Sequence, residues 1–517
     1  MLVACLCMQF TQAQSRVFKQ VAEEMSSDME TITQDGAVVG YVVFTKLEKA
    51  NADSFNYKLS LMDENLNDIG EIKQKDVNMS LMGVAFEQDV LCLSFLKSTV
   101  RGVTYSSKKE FKNAKEDAKN IISNQFVTLD GKIISTHNFP IEVKLDFSYT
   151  GSKRKVVASA ELKNNGQIKN ISGKGFCFLY GDKDKTEIIT YSNKGEVKWK
   201  KTLDRYDYYS IVTSSDVVYI LGKINKLSNL YCGYQLDRFA VADGKIGQKY
   251  VMEDQNKNGF QVLSFETNQV TGKPFIAGNI IGKHFKGYWE SGKSHNKGMF
   301  KGVFCLTLSG LEKKDTKENF SYWSEGTFKP EFASNGYIKE SKTFPVLTAA
   351  SQDSAGNVYY AGTLLRKKIR IGAVISSVLF LPTITIPTAI MGIAGTHKYR
   401  YKDAVIIKQG NKGFLNIDQT LEKSKSIYYK SRIPLVLYGT PNEFTTIYAP
   451  ATKSDVIIFK DADAYNIYSL VKKQVIRKIP YNMGKSSIRI SGAKEGYIMV
   501  LENNTKEKYT KLSIEPI

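Results

Sequence analysis

The feature that most constrains this chain is an internal repeat. Residues 262–281 (VLSFETNQVTGKPFIAGNII) align without gaps on residues 346–365 (VLTAASQDSAGNVYYAGTLL), at an offset of 346 − 262 = 84 throughout. Gly272 falls on Gly356, Phe275 on Tyr359, and Ala277-Gly278 on Ala361-Gly362. A turn glycine, an aromatic strand and a closing glycine at these places are what a β-hairpin needs. A looser copy lies at 215–222, with weaker ones at 89–96, 454–459 and 494–501.

A second kind of phrase, two strand-like runs around a polar turn, falls between these copies. Residues 187–200 (EIITYSNKGEVKWK) are the clearest, and others lie at 57–73, 125–139, 234–250, 303–323, 404–421 and 465–479. One phrase of each kind supplies four antiparallel strands, and a four-stranded sheet repeated about an axis is a propeller blade. These seven phrases predict an all-β chain folded as a single seven-bladed β-propeller, with eight blades as the alternative. Spare strands at 37–46 and 508–514 are available to close the ring. The 29 Tyr and 27 Phe suit strands, and 42% hydrophobic residues suffice for a large core.

Two segments carry resemblances. Residues 353–363 (DSAGNVYYAGT) resemble the Asp-x-x-Gly-Asn-Val-Tyr-x-x-Gly repeat of bacterial seven-bladed propeller proteins, which implies the fold and no activity. Residues 57–67 (YKLSLMDENLN) are similar to the opening of an uncharacterised exported family of Gram-negative bacteria, a domain of unknown function. That resemblance implies no catalytic role for any residue.

Residues 1–13 are apolar, free of charge and end in the small-residue site Thr11-Gln-Ala13. They read as a signal peptide cut after Ala13, too short to cross a bilayer. Leu2-Val-Ala-Cys5 also looks like a lipidation site, although the apolar run continues past Cys5. The expected location is therefore the periplasm, the outer-membrane surface or the exterior. Residues 14–36 are expected to be a lead segment before a propeller at 37–517. Cys92, Cys177, Cys232 and Cys305 all sit in apolar strand-like runs, which favours buried free thiols over disulfides.

The 72 Lys plus Arg against 52 Asp plus Glu leave a formal charge of +20. Such a surplus attracts polyanions, so an anionic lipid surface, a glycan or a protein partner are the expected partners. Nucleic acid is disfavoured for an exported chain.

Two insertions interrupt the repeat. At 106–123 Phe111, Ala114, Ala118 and Ile121 share one helical face above a charged one, which predicts a short surface helix. At 366–402 the residues 371–395 carry no charge, yet Arg366, Lys367, Lys368 and Arg370 precede them and His397, Lys398, Arg400 and Lys402 follow. A single crossing would separate repeat phrases across a membrane, and Pro382 and Pro387 cut the stretch into pieces too short to span. An apolar hairpin is expected, either covering a blade or dipping into a membrane surface. Membrane contact would fall on Arg370, Ile371, Leu379, Phe380, Leu381, Ile384, Ile386 and Met391.

Catalytic patterns do not stand out. The four histidines lack the i, i+4 spacing of a helical zinc site, and neither a Cys-x-x-Cys, a Gly-x-Ser-x-Gly elbow nor a Walker loop occurs. Residues 254–259 (DQNKNG) match half of a calcium loop, but Phe265 replaces its closing acid, which favours a plain turn. Residues 284–295 gather His284, Tyr288, Trp289, Glu290 and His295, an aromatic and polar set suited to a sugar or peptide. No catalytic residue, metal or cofactor is assigned. The expected function is an exported non-catalytic binding or scaffold protein, possible membrane association included; the alternative is a propeller enzyme acting on glycans or other polyanions through groups in its central channel.

Overall fold

The computed structural model describes residues 14–19, 26–34, 36–51, 54–150, 155–161, 164–181, 185–203, 209–224, 233–282, 300–325, 331–334, 336–369, 397–423, 444–449, 452–461, 463–481, 487–504, 506–507 and 509–517. Among them the chain forms eight four-stranded antiparallel sheets and one of three strands. The chain divides into two compact units.

In the first unit, sheet 1 runs Ser26–Gln34, Ala37–Lys49, Phe55–Asp63 and Asp68–Asp76. Sheet 2 runs Asn78–Glu87, Val90–Ser98, Asn120–Thr128 and Ile133–Pro140. Sheet 3 runs Asn164–Ile171, Gly175–Gly181, Thr186–Tyr191 and Val197–Leu203. Sheet 8 has the strands Ser487–Gly492, Tyr497–Asn504 and Tyr509–Pro516, and its fourth place is taken by Gln14–Lys19. That ladder runs from Gln14 opposite Ile514 to Lys19 opposite Tyr509.

In the second unit, sheet 4 comprises Tyr209–Thr213, Val217–Lys223, Tyr234–Ala240 and Tyr250–Val251. Sheet 5 comprises Gly259–Thr267, Pro274–Ile281, Phe300–Leu308 and Thr316–Tyr322. Sheet 6 comprises Phe344–Gln352, Val358–Ile369, His397–Gln409 and Leu415–Leu421. Sheet 7 comprises Phe444–Ala449, Ser454–Lys460, Ala464–Ser469 and Gln474–Pro480.

The two kinds of sequence phrase have different physical origins. Second strands are apolar on both faces because each is covered on both sides: Gly175–Gly181 and Pro274–Ile281 are buried at every residue. Fourth strands alternate, as in Ile133–Pro140, because they border water and need only one apolar face.

Shared apolar clusters join sheets face to face. In the first unit Leu512 and Met499 of sheet 8 pack with Tyr41 and Val43 of sheet 1. Val42 and Leu59 then pack with Phe86 and Leu93 of sheet 2, and Phe126 of sheet 2 packs with Phe176 and Ile189 of sheet 3. In the second unit Tyr219 and Leu236 of sheet 4 meet Ile276 and Leu306 of sheet 5. Ala277 and Val303 continue to Tyr360 and Val405 of sheet 6, and Ala361 and Ile406 to Ile457 and Tyr468 of sheet 7.

Several expectations are corrected. All seven two-strand phrases are third and fourth strands, as the repeat implied, and Gln14–Lys19 joins Ser487–Gly492, Tyr497–Asn504 and Tyr509–Pro516 in a further four-stranded sheet. Residues 14–36 are therefore no lead segment, since they contribute one strand to sheet 8 and one to sheet 1. The strand at 37–46 is not spare either; it is the second strand of sheet 1.

The helix spans only Lys108–Glu116. Ser107 caps it by accepting from Glu110 N at 3.2 Å, while the Glu110 carboxylate accepts from Ser106 N at 2.9 Å. Ala118 packs with Phe111 just past the helix end, but Ile121 belongs to a strand, opposite Lys97 and Pro140, because ladder pairing on both sides outcompetes helix extension. Thr104–Tyr105, Lys144–Thr150 and Lys155–Glu161 make the three-stranded sheet under this helix, an element the repeat did not announce.

The gapless alignment also slips by one residue. Thr267 pairs with Pro274 and Gln352 with Val358, so the first hairpin has the loop 268–273 and the second the shorter loop 353–357. Each first strand carries the same bulge, between Val262 and Ser264 and between Leu347 and Ala349, and the one-residue offset holds on both sides of it.

Candidate functional site

Sheet 6 carries a two-stranded extension. Its first strand ends with Phe344 opposite Leu365, and its fourth strand reaches only to Leu421 opposite Ala404. Beyond these points, among the described residues, Val358–Ile369 and His397–Gln409 continue alone as a ribbon to Ile369 opposite His397. Within the ribbon Arg366 stands opposite Arg400 and Lys368 opposite Lys398. Because residues alternate between faces, these four cationic positions share one face.

A second feature is a cavity of about 160 Å³ where the ends of Gly259–Thr267 and Phe344–Gln352 meet the Phe444–Ala449 and Ser454–Lys460 strands. Glu266, Gln352, Asp353, Tyr448, Lys453 and Asp455 are among its lining residues. Its polar groups differ in how fully they are used. Asp353 Oδ1 accepts from Ala355 N at 3.0 Å and Asn357 N at 2.8 Å, and its Oδ2 accepts from Asn357 Nδ2 at 2.8 Å. Gln352 Nε2 donates to Thr307 Oγ1 at 3.1 Å, and the Gln352 carbonyl accepts from Asn268 Nδ2 at 2.6 Å. Glu266 accepts from Ser264 Oγ at 2.7 Å.

Asp455 is the exception. Burial pushes its carboxyl above the usual aspartate range, while a hydrogen bond donated by the Ser351 hydroxyl pulls the other way. Burial and the Asp455 charge together raise the Tyr448 hydroxyl. Among the described residues no Lys or Arg forms an ion pair with Asp455. Such a carboxyl can hold a cation or, once protonated, donate a hydrogen bond. Sequence reasoning marked 454–459 as a strand copy and passed over the aspartate; an acid opening an apolar strand (SDVIIF) was the available signal.

The ligand-binding candidates His284, Tyr288, Trp289, Glu290 and His295 lie outside the described residues. So do the membrane-contact candidates Arg370, Ile371, Leu379, Phe380, Leu381, Ile384, Ile386 and Met391, the signal peptide at 1–13, and Cys232. The insertion at 366–402 is nevertheless trimmed from both sides, because 366–369 and 397–402 are strand.

The Asp254 loop is a turn: Oδ1 accepts from Asn256 N at 3.1 Å and Asn258 N at 2.7 Å, and Oδ2 from Asn258 Nδ2 at 2.7 Å and from the Tyr322 hydroxyl. Asp63 with Asn67 repeats the arrangement seen at Asp254 and Asp353. Cys92, Cys177 and Cys305 are buried free thiols.

No family model matches the chain, and no curated protein matches it in sequence. Solved structures similar to it include β-propeller and WD40 domains. The C-terminal WD40 domain of Sif2 is 10% identical, with 95% of this chain and 98% of that one covered at a TM-score of 0.42. A europium-containing methanol dehydrogenase is 8% identical, with coverages of 98% and 93% and a TM-score of 0.40. The β-propeller domain of the Trilobed protease from Pyrococcus furiosus is 9% identical, with coverages of 84% and 93% and a TM-score of 0.35. At this distance none of their activities transfers.

Proposed function

We propose that this chain is an exported, non-catalytic binding or scaffold protein, built as one β-propeller and held at an anionic membrane surface through sheet 6. The eight four-stranded sheets serve as its blades, in place of seven, and the pairing of Gln14–Lys19 with Tyr509–Pro516 supports closure of a ring by its two ends.

One observation carries the membrane reading: Arg366 opposite Arg400 and Lys368 opposite Lys398, at the base of the charge-free stretch 371–395. Anionic headgroups neutralise such a ladder, and residues 371–395 supply apolar surface beyond it. Ile369 and His397 are ladder partners, so the stretch begins and ends at neighbouring places in the sheet, which supports a dip into one leaflet over a single crossing. In this reading His284, Tyr288, Trp289, Glu290 and His295 remain the candidates for holding a sugar or peptide.

Cosedimentation with vesicles tests the proposal. Vesicles containing phosphatidylglycerol should pull down the full chain, pure phosphatidylcholine vesicles should not, and replacing Arg366, Lys368, Lys398 and Arg400 by Gln should release it. Equal sedimentation of the quadruple variant, or none of the native chain, overturns it. The enzyme alternative predicts turnover of acidic glycans by the same preparation.

A further inference from the structure

We propose that the cavity at the ends of sheets 5, 6 and 7 is a binding site for a single primary ammonium group, with Asp455 as its counter-ion. The site is separate from the ribbon discussed above and stands or falls independently of it.

Three observations converge. The cavity draws its wall from three successive sheets, so its shape is set by strand ends rather than by one loop. Its volume of about 160 Å³ is several times what one water molecule occupies, which leaves room for an alkylammonium head. Its carboxylates then differ in availability. Asp353 is consumed by its own turn, whereas Asp455 has the Ser351 hydroxyl and no cation, in a chain with a surplus of 20 positive charges.

A desolvated carboxylate without a cation is costly to the folded chain, and a bound cation removes that cost. The neighbours favour an ammonium over a spherical ion. Three N–H donors can be shared between Asp455 and side-chain acceptors in the same wall, where Thr446, Tyr448 and Ser454 bring hydroxyls. No group of three or more His, Cys, Asp or Glu suited to a metal ion occurs among the described residues. Lys453, at the rim, opposes the ligand by charge.

The ammonium can belong to a free amine or to a lysine side chain of a partner polypeptide. Calorimetric titration of the full chain with butylammonium chloride and with the peptide Gly-Lys-Gly, in low salt at neutral pH, covers both. Saturable binding in roughly the millimolar range is expected for at least one of them. Asp455→Asn should weaken it ten-fold or more, Lys453→Gln should tighten it, and acidification should abolish it. Tighter binding of the peptide identifies a polypeptide source, and tighter binding of butylammonium a free amine. Undiminished binding by Asp455→Asn, equal binding of tetramethylammonium, or no saturable binding by both the native chain and Lys453→Gln overturns the proposal.

Discussion

Gln409 Nε2 donates to Ser321 Oγ at 2.7 Å, while its Oε1 accepts from the Tyr360 hydroxyl at 2.8 Å. This fully buried amide ties sheet 6 to sheet 5, since the Tyr360 hydroxyl, whose one proton is shared between two acceptors, also lies 2.7 Å from the Phe304 carbonyl oxygen and Ser321 Oγ donates to the Gly413 carbonyl at 2.9 Å. The network fixes the spacing of two sheets whose other contacts are apolar and tolerant of sliding.

Gln409→Leu removes the shared centre and strips partners from buried groups on both sheets. A loss of about 1–3 kcal/mol in unfolding free energy is expected, read from urea titration by tryptophan fluorescence. A midpoint equal to that of the native chain contradicts the role.

The closing glycines of the repeat are steric necessities. A Cβ at Gly362 would lie 1.9 Å from the Val346 carbonyl oxygen, and one at Gly278 2.0 Å from that of Gln261. Gly362→Ala should cost about 1–3 kcal/mol through backbone displacement at the bulge. Gly356 has φ +81°, and a Cβ there would meet only Asn411 Cβ at an ordinary 3.8 Å, so Gly356→Ala should cost about 1 kcal/mol from backbone strain alone. Thermal melts of the two variants should preserve that order.

Asp455 gives a pH signature. Its carboxyl is raised in the folded chain by burial, so the folded state holds that proton to higher pH than the unfolded state does. The associated stability is fully present below the unfolded aspartate value and is lost as pH rises through the folded one. Asp455→Asn should therefore gain on the native chain as pH increases across the acid range, and denaturation midpoints against pH should diverge in that sense. Parallel curves would leave the carboxyl energetically silent.

The three described cysteines should be inert in the native fold. Burial raises Cys92 and Cys177 well above the ordinary thiol value and Cys305 to about 12. Alkylation at pH 8 followed by peptide mass spectrometry should find all three unmodified until denaturant is added. Native-state labelling of any one of them would contradict the packing.

Much of the architecture was legible because a strand's environment is written in its composition. Doubly covered strands such as Gly175–Gly181 read as unbroken apolar runs, and half-covered ones such as Val197–Leu203 alternate. What escaped was long-range or cumulative. The pairing of Gln14–Lys19 with Tyr509–Pro516 depends on register across the whole chain, which no local pattern encodes. Ile121 obeys the helical period and still becomes strand, because its neighbours Lys97 and Pro140 offer two ladders at once. Asp455 offered only its place at the head of an apolar strand as a signal, and its chemistry comes from desolvation once three sheets place it beside a cavity.

The place of Gln14–Lys19 in sheet 8 also imposes a timetable. The earliest of the described strands to leave the ribosome is among the last to find its partner, since Ile514 lies 514 − 14 = 500 residues downstream of Gln14. Until then Gln14–Lys19 waits as a strand without its ladder, open to any passing edge, so shielding during synthesis and a slow final locking are demands written into the topology itself.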